Sequence, residues 1–352
     1  MKIIKITFLS LSVLLICSCF QKQSDKIEVT PIVFNLSAAL SYDTLETHFL
    51  LSYPMGIILT DNYLIIQDER GHHYNYHVLD KKTGNLCFEF GEKGQGPIEM
   101  LAPTWNPYYD PKNKIIQMFD VNKKAIFYNS IQDNKTNSES ILKLSLKYNL
   151  FFREFFDLND FYLTLGMNGF FTENQFVTFD KSFEMIDKFG QYPVLDDDRE
   201  TNEIMNKDVY TTCFYKISPN LKHIAFASYK VGLLEIFETD KLPYGITKKR
   251  AILLAPPYKQ TKSTENIFGF EDVFVTDNYI YTLYNGKTAK ENQGFTQRIK
   301  IFNWEGKPII DYYLGIDMRC LAVDEKEKVI YAVAYTEEMD FFLIKTDIID
   351  YI

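Results

Sequence analysis

Two absences set the outline of this sequence. No apolar run approaches the roughly 20 residues that a helix needs to cross a bilayer; the longest, Ile6 to Ile16, is interrupted by Thr7, Ser10 and Ser12. Linear signatures of catalysis are missing too. There is no Gly-x-Ser-x-Gly elbow, no His-Glu-x-x-His helix and no cysteine pair at metal spacing, so no enzyme class is indicated by motif. Positive charge is in deficit, with 38 Lys and Arg against 47 Asp and Glu and a formal charge of −9. That balance disfavours nucleic acid and anionic lipid surfaces as partners. Cysteine is scarce as well. Beyond Cys17 and Cys19 only Cys87, Cys213 and Cys320 occur, each beside apolar or aromatic neighbours. They read as buried free thiols, because a chain of this length needs no bridge even where an oxidising compartment permits one.

What the N-terminus holds is an export pattern: Lys2 and Lys5, the apolar run, then small residues, which is a leader rather than a spanning helix. The sequence Ile16-Cys17-Ser18-Cys19 resembles the bacterial lipobox. The resemblance implies a signal peptide over residues 1–18, cleavage after Ser18, diacylglycerol on the Cys19 thiol and a tether over residues 19–26; an ordinary secretory signal is the alternative. Each buried methylene contributes about 0.8 kcal/mol, so two or three acyl chains give lasting membrane attachment. Phe20 rather than Asp after the cysteine implies, by the same resemblance, the outer membrane. The stretch Gln21 to Lys26 mixes charges and lacks the acidic run of surface-exported lipoproteins, so a periplasm-facing domain is expected, with the cell surface as the alternative. Loss of residues 1–18 removes two lysines and takes the formal charge from −9 to −11. Asp43-Thr44-Leu45 also fits a short acceptor pattern for O-glycosylation at Thr44.

The remaining composition is that of a large all-β core: 46% hydrophobic residues, 24% charged, with 29 Phe and 24 Tyr, which favour strands. Six short apolar strands stand out, at Tyr63–Ile66, Lys114–Gln117, Phe161–Thr164, His223–Phe226, Tyr279–Thr282 and Val329–Ala332. Their second residues are 51, 47, 62, 56 and 50 residues apart, which is the spacing of propeller blades. Each strand follows an apolar stretch and a polar turn, and the turn Thr-Asp-Asn-Tyr occurs at both 60–63 and 276–279. Asp and Asn suit tight connections between antiparallel strands.

A third strand follows in every unit and a fourth in five of them, Leu86–Phe90, Ile141–Leu146, Met185–Phe189, Ala251–Leu254 and Ile309–Tyr313. The sixth unit ends without one. The expectation is therefore a single domain over residues 27–352, an all-β six-bladed β-propeller in which an N-terminal strand closes the last blade. The segment Ile27 to Leu36 is expected to supply that strand, pairing antiparallel with the strand around Phe342, since Pro31 suits an edge and closure leaves only short exposed edges.

The run Phe90-Gly91-Glu92-Lys93-Gly94-Gln95-Gly96-Pro97-Ile98-Glu99 after a Lys-Thr-Gly turn, together with Ser218-Pro219-Asn220 before Ile224-Ala225-Phe226, resembles the TolB-like six-bladed propeller lipoproteins of Bacteroidetes. Ile98 stands where that signature has a glycine. The resemblance implies fold and location more than activity.

Candidate chemistry is sparse. The glycine run lacks the Lys-Ser/Thr ending of a phosphate loop and reads as a tight link between blades, with Gly94, Gln95, Gly96 and Glu99 as the candidate binding residues. Residues 73 and 77 stand about 13 Å apart along a strand, too far for His73 and His77 to share a metal. Asp196, Asp197, Asp198 and Glu200 read as an exposed acidic loop or a calcium site, and Phe151 to Tyr162 as blade core or a stacking surface for a ligand. No catalytic residue, metal or cofactor is assigned. Two functions remain: a non-catalytic propeller binding a protein or glycan partner through loops at one end of the channel, or a propeller hydrolase or lyase with a composite site at the channel mouth. A cluster of ionisable groups converging at the mouth favours the enzyme; an apolar or aromatic face favours the binder.

Overall fold

The computed structural model describes residues 32–104, 107–132, 135–144, 152–166, 174–191, 213–254, 265–288, 290–291 and 296–349. Cys19, the tether and the acidic run Asp196 to Glu200 lie outside them. No α-helix occurs among the described residues, and no helix is long and apolar enough to cross a membrane.

The strands assemble as six blades of four. Blade one is β3 (Pro54–Leu59), β4 (Tyr63–Asp68), β5 (Tyr74–Asp80) and β6 (Leu86–Glu92). Blade two is β7 (Tyr108–Asp110), β8 (Ile115–Asp120), β9 (Ala125–Gln132) and β10 (Lys135–Lys143); blade three is β11 (Phe152–Asp157), β12 (Tyr162–Gly166), β13 (Asn174–Phe179) and β14 (Met185–Gln191). Blade four comprises β15 (Cys213–Ile217), β16 (His223–Ser228), β17 (Leu233–Glu238) and β18 (Thr247–Leu253). Blade five has β19 (Phe270–Val275), β20 (Tyr279–Tyr284), β21 (Thr296–Asn303) and the first part of β22 (Pro308–Asp324). The second part of β22 opens blade six, followed by β23 (Val329–Tyr335) and β24 (Phe341–Asp347). β22 thus serves two blades: its part up to Tyr313 pairs with β21, Met318 lies opposite both Thr296 of β21 and Ala334 of β23, and the remainder pairs with β23. Gly315, at φ +71°, lies between the two stretches, where glycine meets no Cβ penalty.

The strand pattern explains the ring. Alternate side chains of a strand point to opposite faces, and here both faces are covered. On β16, Ile224 and Phe226 pack towards blade three, while Ala225 and Ala227 pack towards blade five. On β4, Ile65 joins blade two and Leu64 and Ile66 join blade six. Six apolar clusters, one between each pair of neighbouring blades, close the circle. The repeated turn behaves as its sequence indicates: the Thr60 and Thr276 hydroxyls each accept the backbone N–H three residues on, at 3.0 Å.

Closure differs from expectation in one respect. The outer strand of blade six is β2 (Asp43–Leu45), antiparallel to β24 with Thr44 opposite Ile344, not the segment Ile27 to Leu36. Residues 27–31 lie outside the described set, and residues 32–36 form no strand. Ile32 and Phe34 instead pack on the core of blades four and five, Phe34 edge-on to Phe302 with ring centroids 5.3 Å apart. Next, β1 (Ser37–Ala39) runs parallel to β22 along Asp311–Tyr313, on the outside of blade five. The apolar residues that suggested a closing strand are the ones that fasten this lead-in segment. Cys213 and Cys320 are buried free thiols as expected, but Cys87 is exposed, because β6 is an outer strand with one face in solvent.

Candidate functional site

The inner strands β3, β7, β11, β15, β19 and the second half of β22 begin at one end of the channel, called the mouth here. Links from blade to blade and turns between second and third strands lie at this end. Two links are fastened in the same way: Asp68, at the end of β4, accepts the backbone N–H groups of Ser52 and Tyr53 at 2.7 Å each, and Asp120, at the end of β8, accepts those of Leu101 and Ala102 at 2.6 and 2.9 Å. A buried carboxylate satisfied by two amides holds an incoming link in place. Burial alone would raise the Asp68 pKa, but His77 and the two amides hold it below the usual carboxylate range.

The glycine-rich link folds around its own acid. Glu99 accepts the Gly96 N–H at 2.6 Å and its carboxylate fills the space beside Gly94, whose φ of +156° is a conformation that residues with a Cβ rarely adopt. Lys93 donates to the carbonyls of Asp68, Glu69 and Gly71 at 3.3, 2.6 and 2.7 Å, and Lys123 donates to those of Gly96 and Glu99. The Gly96 amide and the Glu99 carboxylate are therefore engaged within the loop, while Gln95 and Ile98 face solvent. His72 and His73 are exposed, and His77 is buried with Nδ1 2.7 Å from Glu89. Among the described residues no three His, Cys, Asp or Glu side chains gather as metal ligands.

Below the mouth surface lie ionisable groups that no motif revealed. Glu271 on β19 is 4% exposed; one carboxylate oxygen accepts the Asn285 side-chain amide at 2.6 Å, while its Oε2 is buried without a partner, as is Oδ1 of Asp317. Burial pushes the Glu271 carboxyl up to about 7, against the Asn285 hydrogen bond and the Arg319 charge, and Asp317 adds to the rise. Arg319 donates to the Pro54 carbonyl at 3.3 Å, contacts the Met55 sulfur at 3.1 Å and lies over the Tyr53 ring. Further in, burial raises Asp272 to about 6 and pulls the Lys216 ammonium below its ordinary value. The one available signal was a charged residue inside an apolar inner strand, as in Phe270-Glu271-Asp272-Val273 or Met318-Arg319-Cys320-Leu321.

The folded state holds a proton on Glu271 that the unfolded chain releases near pH 4.5. Stability therefore falls as pH rises from about 4.5 to 7, by up to about 3 kcal/mol. Glu271→Gln is expected to flatten that decline in denaturant midpoints between pH 5 and 8. Parallel profiles for the two proteins would disprove the assignment.

On the mouth surface itself several large apolar side chains stand exposed among charged and polar ones such as Glu69, Arg70, His72, Glu337, Glu338 and Asp340. Leu50, on the link from blade six to blade one, is 90% exposed; Ile98 and Leu101, on the next link, are 55% and 47% exposed. Met339, on the turn between β23 and β24, is 45% exposed. A bridge between Leu51 and Phe341 ties the first link to β24, and Arg70 sits 4.5 Å above the Tyr53 ring.

Comparison with known proteins agrees with this architecture. The family described as TolB-like 6-blade propeller-like matches residues 35–326. The chain belongs to that family. Among solved structures, this TolB-like propeller is similar to a protein of Bacteroides fragilis NCTC 9343 described by its sequence as exported, at 14% identity and a TM-score of 0.58, covering 90% of this chain and 99% of that one. It is also similar to a member of the DUF4221 family from Bacteroides vulgatus ATCC 8482, at 10% identity and a TM-score of 0.59, covering 92% and 98%. At these identities the likeness shows the fold alone. No curated protein matches the TolB-like chain.

Proposed function

We propose that this chain is a lipid-tethered propeller of the cell envelope, held in the outer membrane through Cys19 and facing the periplasm, that binds a protein or glycan partner across its mouth and catalyses no reaction. The observation that carries this reading is the division of the mouth. Large apolar side chains stand exposed there, at Leu50, Ile98, Leu101 and Met339, whereas Glu271 is buried beneath the surface with one carboxylate oxygen unpartnered. A catalytic carboxyl has to reach the substrate to transfer a proton, and contiguous exposed apolar groups mark interaction surfaces. The loop at Gly94, Gln95, Gly96 and Glu99 takes part as a braced platform: its glycines and acid hold the shape, and Gln95 and Ile98 meet the partner. The exported relative supports an envelope location.

Screening the purified domain against glycans, peptides and esters tests both functional readings together. Saturable binding without turnover is expected, weakened by Ile98→Asp. Turnover that disappears in Glu271→Gln would establish the hydrolase or lyase instead. In cells, Cys19→Ala is expected to leave the membrane fraction, and unchanged attachment would remove the tether from the reading.

A further inference from the structure

We propose that the seam of blades six and one is the docking surface for a basic polypeptide segment anchored by large apolar side chains. This rests on the mouth as a binding surface and names the chemistry of the partner. The seam presents two aliphatic anchors. Leu50 stands almost fully in solvent beside Leu51, which bridges to Phe341. Met339 tips a tight turn closed by Thr336 N–H to the Asp340 carbonyl at 3.1 Å and Met339 N–H to the Thr336 carbonyl at 3.0 Å. Its φ of +67° is a conformation that a bulky side chain rarely adopts, and it is kept here on an exposed turn.

The exposed charge beside Met339 is negative. Glu337, Glu338 and Asp340 flank Met339, all exposed, and none forms an ion pair with a described residue. Two cations of the mouth, Arg70 and Arg319, are laid on the Tyr53 ring at 4.5 and 5.1 Å, and Arg319 also donates to the Pro54 carbonyl. Three carboxylates beside the Met339 thioether, with Leu50 exposed on the adjoining link, complement lysine or arginine side chains alternating with apolar ones. Apolar anchors carry affinity and the surrounding charge sets orientation and on-rate. An anionic bilayer is repelled by the same carboxylates and by the net charge of −9. A neutral or acidic saccharide offers no cation to meet them.

The test uses the purified chain and three short fluorescent peptides: alternating lysine and leucine, alternating glutamate and leucine, and alternating lysine and serine. Anisotropy is expected to show saturable binding of the lysine–leucine peptide alone. The double substitution Glu337→Lys with Glu338→Lys, and separately Leu50→Ser, are each expected to weaken it by about tenfold. Tyr244→Ser, at an exposed position on the opposite face, is expected to leave it unchanged. All of these sites are exposed, and unchanged thermal melts confirm that the variants fold. Equal binding of either of the other peptides, or seam variants that bind as well as Tyr244→Ser, overturns the proposal. If glycans then protect the mouth links from hydrogen exchange, the binding reading survives while the basic partner does not.

Discussion

A single methyl group added at Gly269 is expected to cost about 3 kcal/mol or more and to lower the melting temperature by roughly 5 °C. A Cβ there would lie 2.2 Å from the Gly232 nitrogen and 2.4 Å from the Ser228 carbonyl oxygen. Both are backbone atoms of blade four, so no side-chain rotation relieves the clash. The strand cannot retreat either, because the Gly269 carbonyl accepts the Asn285 N–H at 2.9 Å and Phe268 accepts that of Gly286 at 2.9 Å. Gly269 therefore sits where the link into β19 is squeezed between two blades, two residues before Glu271. Gly245→Ala is the control: its Cβ meets nothing nearer than the Lys241 side chain at 3.5 Å. If Gly269→Ala melts within 1 °C of the control, the close approach of the blades is wrong.

Leu45→Ala is expected to lose about 2 to 4 kcal/mol and to loosen one blade before the others. Leu45 is the only buried residue of β2 and packs with Leu51, Leu64, Leu79, Tyr331 and Leu343, where blades six and one meet. Three residue pairs join β2 to β24, so this side chain supplies much of what holds the closing strand. The same seam is fastened at the far end of the channel. There Lys81 of blade one reaches Asp324 of blade six at 2.7 Å and Glu327 at 3.3 Å. Burial alone would lower the Lys81 pKa, but the two carboxylates raise it. Hydrogen exchange should quicken first at residues 343–345, with blades three and four unaffected at low denaturant. Exchange that rises uniformly, or a loss under 0.5 kcal/mol, would show that the ring does not depend on β2. Thr44→Ala, at an exposed position of the same strand, is expected to change little.

Much of the ring was legible because each blade repeats the same physics. Strands buried on both faces read as continuous apolar runs, and Thr60 and Thr276 close their turns with the same hydroxyl. The closing strand was not legible, since three residues with one buried leucine leave no periodic signal. Ile32 and Phe34 looked more like a strand, yet their apolar groups serve packing over blades four and five. The site divided along the same line. The glycine-rich link was visible as a loop, but that Glu99 fills it could be learned only from the fold. Glu271, Arg319 and Tyr53 come from three parts of the chain, and their shared environment exists only once blades five, six and one meet. Cys87 looked buried from its neighbours because sequence does not tell an outer strand from an inner one.

The order in which the N-terminal segment meets the ring has a mechanical consequence. A pull on the residues before Ile32 reaches the Ile32 and Phe34 contacts first and then β1, whose bonds to blade five include Asp311 N–H to the Leu36 carbonyl and Leu40 N–H to the Tyr313 carbonyl, at 3.1 and 2.9 Å. Only after these give way does force act on the three pairs of β2. The segment works as a strain relief, as a cable is clamped before its connector, so a domain dragged by its leading end holds its circle shut until the clamp on blade five has slipped.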